Sequence, residues 1–348
     1  MRTMETLGKG SDCVAWFNGR AKQVTPKVVK AFTDALPAAR VYVSSDFEQA
    51  QKFAAQIARD PPALLFSGGG DGTISRMLNW LREAGMDGFP PIALLRLGTG
   101  NGWPNAVGAP PFKKVLPKLP GLSWTPPIRR FDLIEVEGRL CQFAGVGLDA
   151  TVLHDYAQEL AKSKAQMVGS RVSTWAHKGL PGYLFSTFTV TIPGDISRNM
   201  REGRVQVTLE NLGRPALTLD KNAKPVPVPH APKTLYQGPI SVGGAAVEPE
   251  WGARFKAYPF AQLVPGTLNM RVYDRTAFEA ARNMFKLWRG AYPLPGMHDF
   301  FITRARMTFS RPMPFQMAGD SVGLREQMEF SIAPQTVDMV DWNALTLS

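Results

Sequence analysis

Residues 64–81 read LLFSGGGDGTISRMLNWL, a stretch whose residue types suit it to holding a phosphate. Ala63 to Phe66 form a short apolar run of strand type, while Ile74, Met77, Leu78 and Leu81 recur at helical spacing, so the pattern predicts a strand-to-helix turn over Ser67 to Thr73. Gly68, Gly69, Gly70 and Gly72 let the backbone approach an anion closely, and the first amides of the following helix have no intrahelical acceptor. Asp71 inside such a cradle repels a phosphate unless a cation lies between them, which points to Mg2+. Taken alone, the cluster reads equally as an ordinary tight turn.

The surrounding elements weigh against a merely decorative turn. Val14 to Phe17, Val41 to Ser44 and Ile92 to Leu97 have strand character, and Thr25 to Leu36 and Phe47 to Ala58 have helical character. Strand and helix in alternation predict a parallel sheet covered by helices, with ligands at the carboxyl ends of the strands. The stretch LRLGTGNGWPNAVG supplies a second glycine-rich strand exit, with Gly98, Thr99, Gly100, Asn101 and Gly102 following Leu97. Two such exits side by side would face one crevice. From about residue 128 the character changes: Ile128 to Val136, Leu140 to Ala144, Val205 to Leu209, Ala216 to Leu219, Leu268 to Tyr273, Ile302 to Phe309 and Met328 to Ile332 predict a mostly antiparallel β domain. Helical patterns interrupt it at Ala150 to Lys162 and Phe278 to Trp288, and DKNAKPVPVPHAPK (220–233) is expected to be a Pro-rich loop with little structure of its own.

Composition bounds the remaining choices. A chain of 348 residues with 44% hydrophobic and 20% charged residues is globular, and its length favours two domains over one. Cys13 and Cys141 stand alone, and His154, His177, His230 and His298 are dispersed, so no disulfide framework or zinc site is expected. The first residues lack the apolar run of a signal peptide, and no stretch reaches the length of a membrane span; the expected location is the cytoplasm. There is no GxxxxGK[ST] and no GxSxG, and the G-x-G-x-x-A at 145–150 has no acid about 20 residues on, so a P-loop, an α/β-hydrolase nucleophile and a dinucleotide site are disfavoured. The net charge of +11 lacks the aromatic or zinc-finger signatures of nucleic-acid binding, so no nucleic acid is expected. An anionic lipid surface best accounts for the summed charge.

GGGDGT at 68–73, followed by LGTGN at 97–101, resembles the catalytic domain of the diacylglycerol kinase, sphingosine kinase and ceramide kinase superfamily. FNGRAK (17–22) stands where that family has its N-terminal nucleotide loop, RRFDLIEVEGRLCQFAGVGLDA (129–150) looks like its Asp-containing hairpin and glycine-rich strand, and QMAGDSVG (316–323) looks like its late acidic turn. The resemblance implies an α/β plus β architecture. It gives residues 1–128 to an ATP-binding domain joined by 334–348, and residues 129–333 to a β-sandwich domain for a lipid substrate. It implies an ATP-dependent, Mg2+-using lipid kinase acting on diacylglycerol, ceramide or sphingosine, peripheral on the inner membrane face. The expected partners are the membrane lipid, an anionic membrane surface and, as a homodimer, a second copy of the chain.

By motif match, Ser67, Gly68, Gly69, Gly70, Asp71, Gly72 and Thr73 hold the ATP phosphates, and Asn18, Thr99, Gly100 and Asn101 line the nucleotide pocket. Asp71 and Asp132 are the metal carboxylates, and Asp320 is the expected catalytic base with Asp71 as its competitor. The chain departs from the family where Ser75 and Arg76 replace an Asn-Glu pair, Gly102 replaces an acid, and Pro265-Gly266 replaces a structural-metal pair. A soluble NAD-kinase-like enzyme and a non-catalytic lipid or nucleotide sensor are the alternatives.

Overall fold

The computed structural model describes residues 12–98, 101–122, 125–148, 150–151, 153, 199, 201–251 and 254–345. Contacts divide the chain into one unit of residues 1–133, 252–254 and 333–348, and another of residues 134–251 and 255–332.

The first unit is built on β1 (Cys13–Asn18), β2 (Arg40–Ser44), β3 (Leu64–Gly69) and β4 (Ile92–Arg96). β1 lies between β2 and β3, β3 pairs with β4, and every pair is parallel. β1 and β3 are buried over nearly their whole length, the continuous apolar character expected of strands covered on both faces. The connections are α1 (Pro26–Ala35), α2 (Phe47–Arg59) and α3 (Asp71–Glu83), and the short α4 (Gly102–Ala106) and α5 (Phe112–Val115) follow β4. The first two starts have a local cause. Thr25 accepts from the Val28 amide with Pro26 in the first turn, and Asp46 accepts from the Gln49 amide with Glu48 beside the positive end of α2. Ala50, Ala54 and Ile57 form the buried stripe of α2, and Ile74, Met77, Leu78 and Leu81 that of α3. Phe32 of α1 meets Phe17 and Phe66 edge to face, which seats that helix on the sheet.

The second unit is mostly antiparallel. β12 (Val242–Ala246) lies between β7 (Phe143–Gly147) and β13 (Leu268–Tyr273), which continues to β14 (Met297–Ile302), β9 (Leu217–Leu219) and β10 (Pro225–Pro227). β15 (Arg304–Met317) pairs with β7, with β8 (Gln206–Asn211) and with β16 (Asp320–Val340), while β11 (Thr234–Pro239) pairs with β8. β5 (Ile128–Val136) pairs with β6 (Arg139–Cys141). Val146, Met270, Val272, Met307, Phe315 and Phe330 belong to one apolar core. Within the sheet, Arg271 and Asp299 form an ion pair of 2.7 Å with side chains 5% and 2% exposed, and Asn269 donates to the same carboxylate. The chain then returns to the first unit, where Met339 pairs in parallel with Ile92.

Several expectations change. The turn over 67–73 shrinks to Gly70, because β3 runs through Gly69 and α3 begins at Asp71. The register that pairs Phe17 with Gly68 explains this: a Cβ on Gly68 would lie 2.2 Å from the Phe17 ring, so glycine here serves strand packing. The 220–233 stretch contains β10 in a hairpin with β9, with Pro225 and Pro227 on that outer strand and Pro229 and Pro232 in the connection beyond it. The helix expected over 278–288 is two helices, α6 (Ala277–Arg282) and α7 (Met284–Arg289), separated at Asn283. The strand expected over 302–309 divides between the last residue of β14 and the longer β15, and the one expected over 328–332 is part of the longer β16. Cys13 and Cys141 are free and buried, and burial pushes their thiols up to about 11 and about 12. The helix expected over 150–162, His154 and His177 fall largely or wholly outside the described residues.

Candidate active site

The first unit gathers its polar residues at the carboxyl ends of β1, β3 and β4, where a parallel sheet opens to ligands. Asn18 ends β1, and its carboxamide donates to Thr73 Oγ1 in the first turn of α3 at 3.0 Å. Gly70, extended, precedes α3 with no side-chain cap. The helix therefore presents its first amides and the positive end of its dipole above the turn.

The two glycine-rich exits are in contact. A Cβ on Gly98 would fall 2.2 Å from Gly70 Cα, which only glycine at 98 allows without moving backbone. Asn101 adopts a left-handed conformation at φ 61° and donates its side-chain amide to the Gly98 carbonyl at 2.8 Å. Gln23 reaches the same carbonyl from the β1–α1 connection at 3.2 Å.

Asp71 ties the pair together. Its buried carboxylate accepts the Gly102 amide at 2.8 Å and the Trp103 amide at 3.2 Å, at the start of α4 (Gly102–Ala106). The acid of the first motif thus caps the helix that opens in the second, an exchange between residues about 30 positions apart that periodicity does not signal. Ser67 Oγ, Asn101 Oδ1 and Trp103 Nε1 are buried without a hydrogen-bond partner among the described residues. Unpaired buried polar atoms are uncommon in folded proteins, and Ser67 Oγ and Asn101 Oδ1, on the two glycine-rich exits, mark places where a ligand or water completes the bonding.

Beside the turn lies a cavity of about 330 Å3 bounded by Trp16, Asn18, Phe47, Thr73, Arg76 and Trp80, among others. Trp16 stacks on Trp80 at 5.9 Å, and the half-exposed Phe47 ring has Arg20 and Arg76 each 5.8 Å from its centroid. A flat apolar wall with cations at its rim suits an aromatic ring that carries anionic groups. Asn18 is legible here from the sequence, whereas Phe47, Trp80 and Arg76 are not expected as wall residues, because only the packing of α2 beside α3 brings them together.

Residues 17–122 match the family model of the diacylglycerol kinase catalytic domain. Those residues carry a lipid-kinase catalytic domain. Among solved structures, two candidate diacylglycerol kinases of Bacillus anthracis strain Sterne each superimpose with a TM-score of 0.63, at 16% and 15% identity; both cover 97% of this chain and 98% and 99% of theirs. A third, a diacylglycerol kinase of the same organism, gives a TM-score of 0.60 at 13% identity over 97% of this chain and 99% of its own. These likenesses establish a shared fold. No curated protein matches by sequence.

Within the lipid-kinase domain the structure brings Asn18, Ser67 to Thr73, Gly98 and Asn101 to one edge of the sheet, whereas Thr99 and Gly100 lie outside the described residues. Asp132 is half-buried on β5, next to Phe131, whose ring meets Trp103 at 6.5 Å. Among the described residues no three His, Cys, Asp or Glu side chains assemble as metal ligands. The donor chemistry fits the mode in which Mg2+ is held by one or two carboxylates and by the substrate's phosphates, because Asp71 offers hard oxygens next to the amide cradle. Asp320 belongs to the second unit. It is exposed just after a two-residue hairpin turn, with Ala318 at φ 50° and Gly319 at φ 85°, and the Gly319 amide donates to Gln316. Among the described residues no helix is long and apolar enough to cross a membrane.

Proposed function

We propose that the chain transfers the γ-phosphate of ATP to the primary hydroxyl of a membrane lipid, diacylglycerol or a ceramide or sphingosine. The observation that carries the reading is the joining of the two glycine-rich exits through Gly70, Gly98 and the Asp71 carboxylate, beside an aromatic cavity of nucleobase size. In this reading the triphosphate lies over Gly69 to Thr73 at the N-terminus of α3, and the base stacks on Phe47 with Arg20 and Arg76 at its edge. Mg2+, with Asp71 and Asp132 as its carboxylates, neutralises charge on the transferring phosphoryl group when bound. The amides of the turn orient the phosphates and complement charge that grows during transfer.

The acceptor hydroxyl must lose its proton as it attacks. Asp320 takes that role: it is a solvent-exposed carboxylate at a hairpin tip, where a substrate hydroxyl can approach it. Asp71 is the poorer base because both its oxygens already hold backbone amides. The reading places the chain on an anionic membrane face, consistent with its net charge of +11.

The test is transfer of labelled γ-phosphate from Mg-ATP to diacylglycerol, monoacylglycerol, sphingosine and ceramide in mixed micelles. Labelled lipid from the wild type, reduced about 100-fold or more in Asp320→Asn at unchanged ATP affinity, supports the assignment. A folded, ATP-binding protein that labels none of the four refutes the substrate class. Turnover by Asp320→Asn within threefold of wild type refutes the base.

A further inference from the structure

We propose that the outward face of α6 and α7 is the surface on which this chain docks to an anionic lipid bilayer. The proposal rests on the lipid-substrate reading and names the part of the molecule that meets the membrane.

Local chemistry fixes how these helices sit. Thr276 Oγ1 accepts the Glu279 amide and the Glu279 carboxylate accepts the Thr276 amide, a reciprocal cap that starts α6. Ala277 and Ala280 are buried with Tyr273, Leu148 and Leu294, and Leu287 of α7 packs on the same cluster. Trp288 stacks on Phe255 at 5.2 Å, and the Lys256 amide donates to the Trp288 carbonyl, which places a further lysine beside the end of α7. The inner face is thereby committed to the second unit.

The outer face then reads Phe278, Arg282, Phe285, Lys286 and Arg289, at the spacing of one helical stripe. Phe285 is 81% exposed and Phe278 63%, the two most exposed large apolar side chains among the described residues. Single exposed apolar residues are common, but two phenyl rings on one stripe with three cations between and beside them form a two-part surface. Among the described residues Arg282, Lys286 and Arg289 form no ion pair. The sole carboxylate between residues 275 and 290, Glu279, is spent on the cap.

Charge selects the occupant. A second copy meeting this face through its own would set like charges against each other, which disfavours a symmetric dimer here. An interfacial helix places aromatic rings at the acyl boundary and Lys and Arg among anionic headgroups, which is the pattern of this stripe.

The experiment is co-sedimentation of the full chain with phosphatidylcholine vesicles, with and without phosphatidylglycerol, lacking any phosphate acceptor so that docking is read apart from catalysis. Wild type is expected to partition onto the anionic vesicles and to dissociate at high salt. The triple variant Arg282→Gln, Lys286→Gln, Arg289→Gln is expected to lose about 100-fold in partitioning, roughly fivefold per charge. Phe278→Ala with Phe285→Ala is expected to lose about tenfold or more, while Phe285→Leu retains binding. All variants should keep the wild-type melting temperature and phosphorylate detergent-dispersed lipid at the wild-type rate. Docking that follows this pattern in a protein that phosphorylates no lipid upholds the surface and refutes only the kinase reading. Wild-type partitioning by the variants, equal binding to neutral and anionic vesicles, or an oligomer that the variants disperse would each overturn the proposal, the last by assigning the face to a second copy.

Discussion

Asp71→Asn separates a structural role for this acid from a purely chemical one. The carboxylate accepts from the Gly102 amide at 2.8 Å and the Trp103 amide at 3.2 Å, and it is buried. An asparagine can offer its carbonyl to one amide, but its NH2 then faces the other, leaving a buried donor unsatisfied. Such a group costs about 1–3 kcal/mol, and exchanging a charged acceptor for a neutral one weakens the bond that remains, so about 2–3 kcal/mol is expected in all. For a unit of this size that corresponds to a fall of about 4–12 °C in melting temperature. Because the start of α4 loosens, the left-handed Asn101 and the Gly98 carbonyl it holds lose their fixed place, and ATP affinity should fall with stability. Differential scanning calorimetry and ATP titration read both quantities. A variant that melts and binds ATP as wild type does while losing turnover would refute this reasoning and make Asp71 a group of the chemical step alone.

Two further outcomes follow from the same geometry. Phe47→Ala removes the ring between Arg20 and Arg76, and a lost base stack should weaken ATP binding by about 5- to 100-fold with little change in melting temperature; unchanged affinity would remove the base from this cavity. Arg325 pairs with Glu137 through both nitrogens of its fork and holds the Glu137 carboxyl below its ordinary value. A depressed carboxylate contributes stability above the unfolded value of about 4.3 and loses it as pH falls through the folded value. Glu137→Gln should therefore cost up to about 1 kcal/mol at pH 7 and nothing at low pH, and identical pH profiles of melting temperature would rule the pair out as a contributor.

The sequence carried the first unit well because its signals are local. Alternating apolar runs, the Thr25 and Asp46 caps and the stripe of Ile74, Met77, Leu78 and Leu81 all act within one element. What escaped was non-local. The bond from Asp71 to the start of α4 and the reach of Gln23 to Gly98 depend on the parallel register of β1, β3 and β4. The aromatic wall joins Trp16 of β1, Phe47 of α2 and Trp80 of α3, none of which stands out in its own segment. In the second unit, β12 reads VGGAA, with one branched residue and no alternation, yet it is central because small side chains let β7 and β13 close on it. The break between α6 and α7 at Asn283 left no mark in the hydrophobic pattern, since Ala280 and Leu287 still fall on one face.

The most direct test of the central claim, that the two joined glycine turns are the nucleotide site, is calorimetric titration of Mg-ATP into wild type and Gly98→Ala. An added methyl 2.2 Å from Gly70 Cα must push the two turns apart. The account predicts that wild type binds ATP and that the variant, still folded, loses at least tenfold in affinity. Equal affinity in the two proteins would contradict it and place the nucleotide elsewhere on the chain.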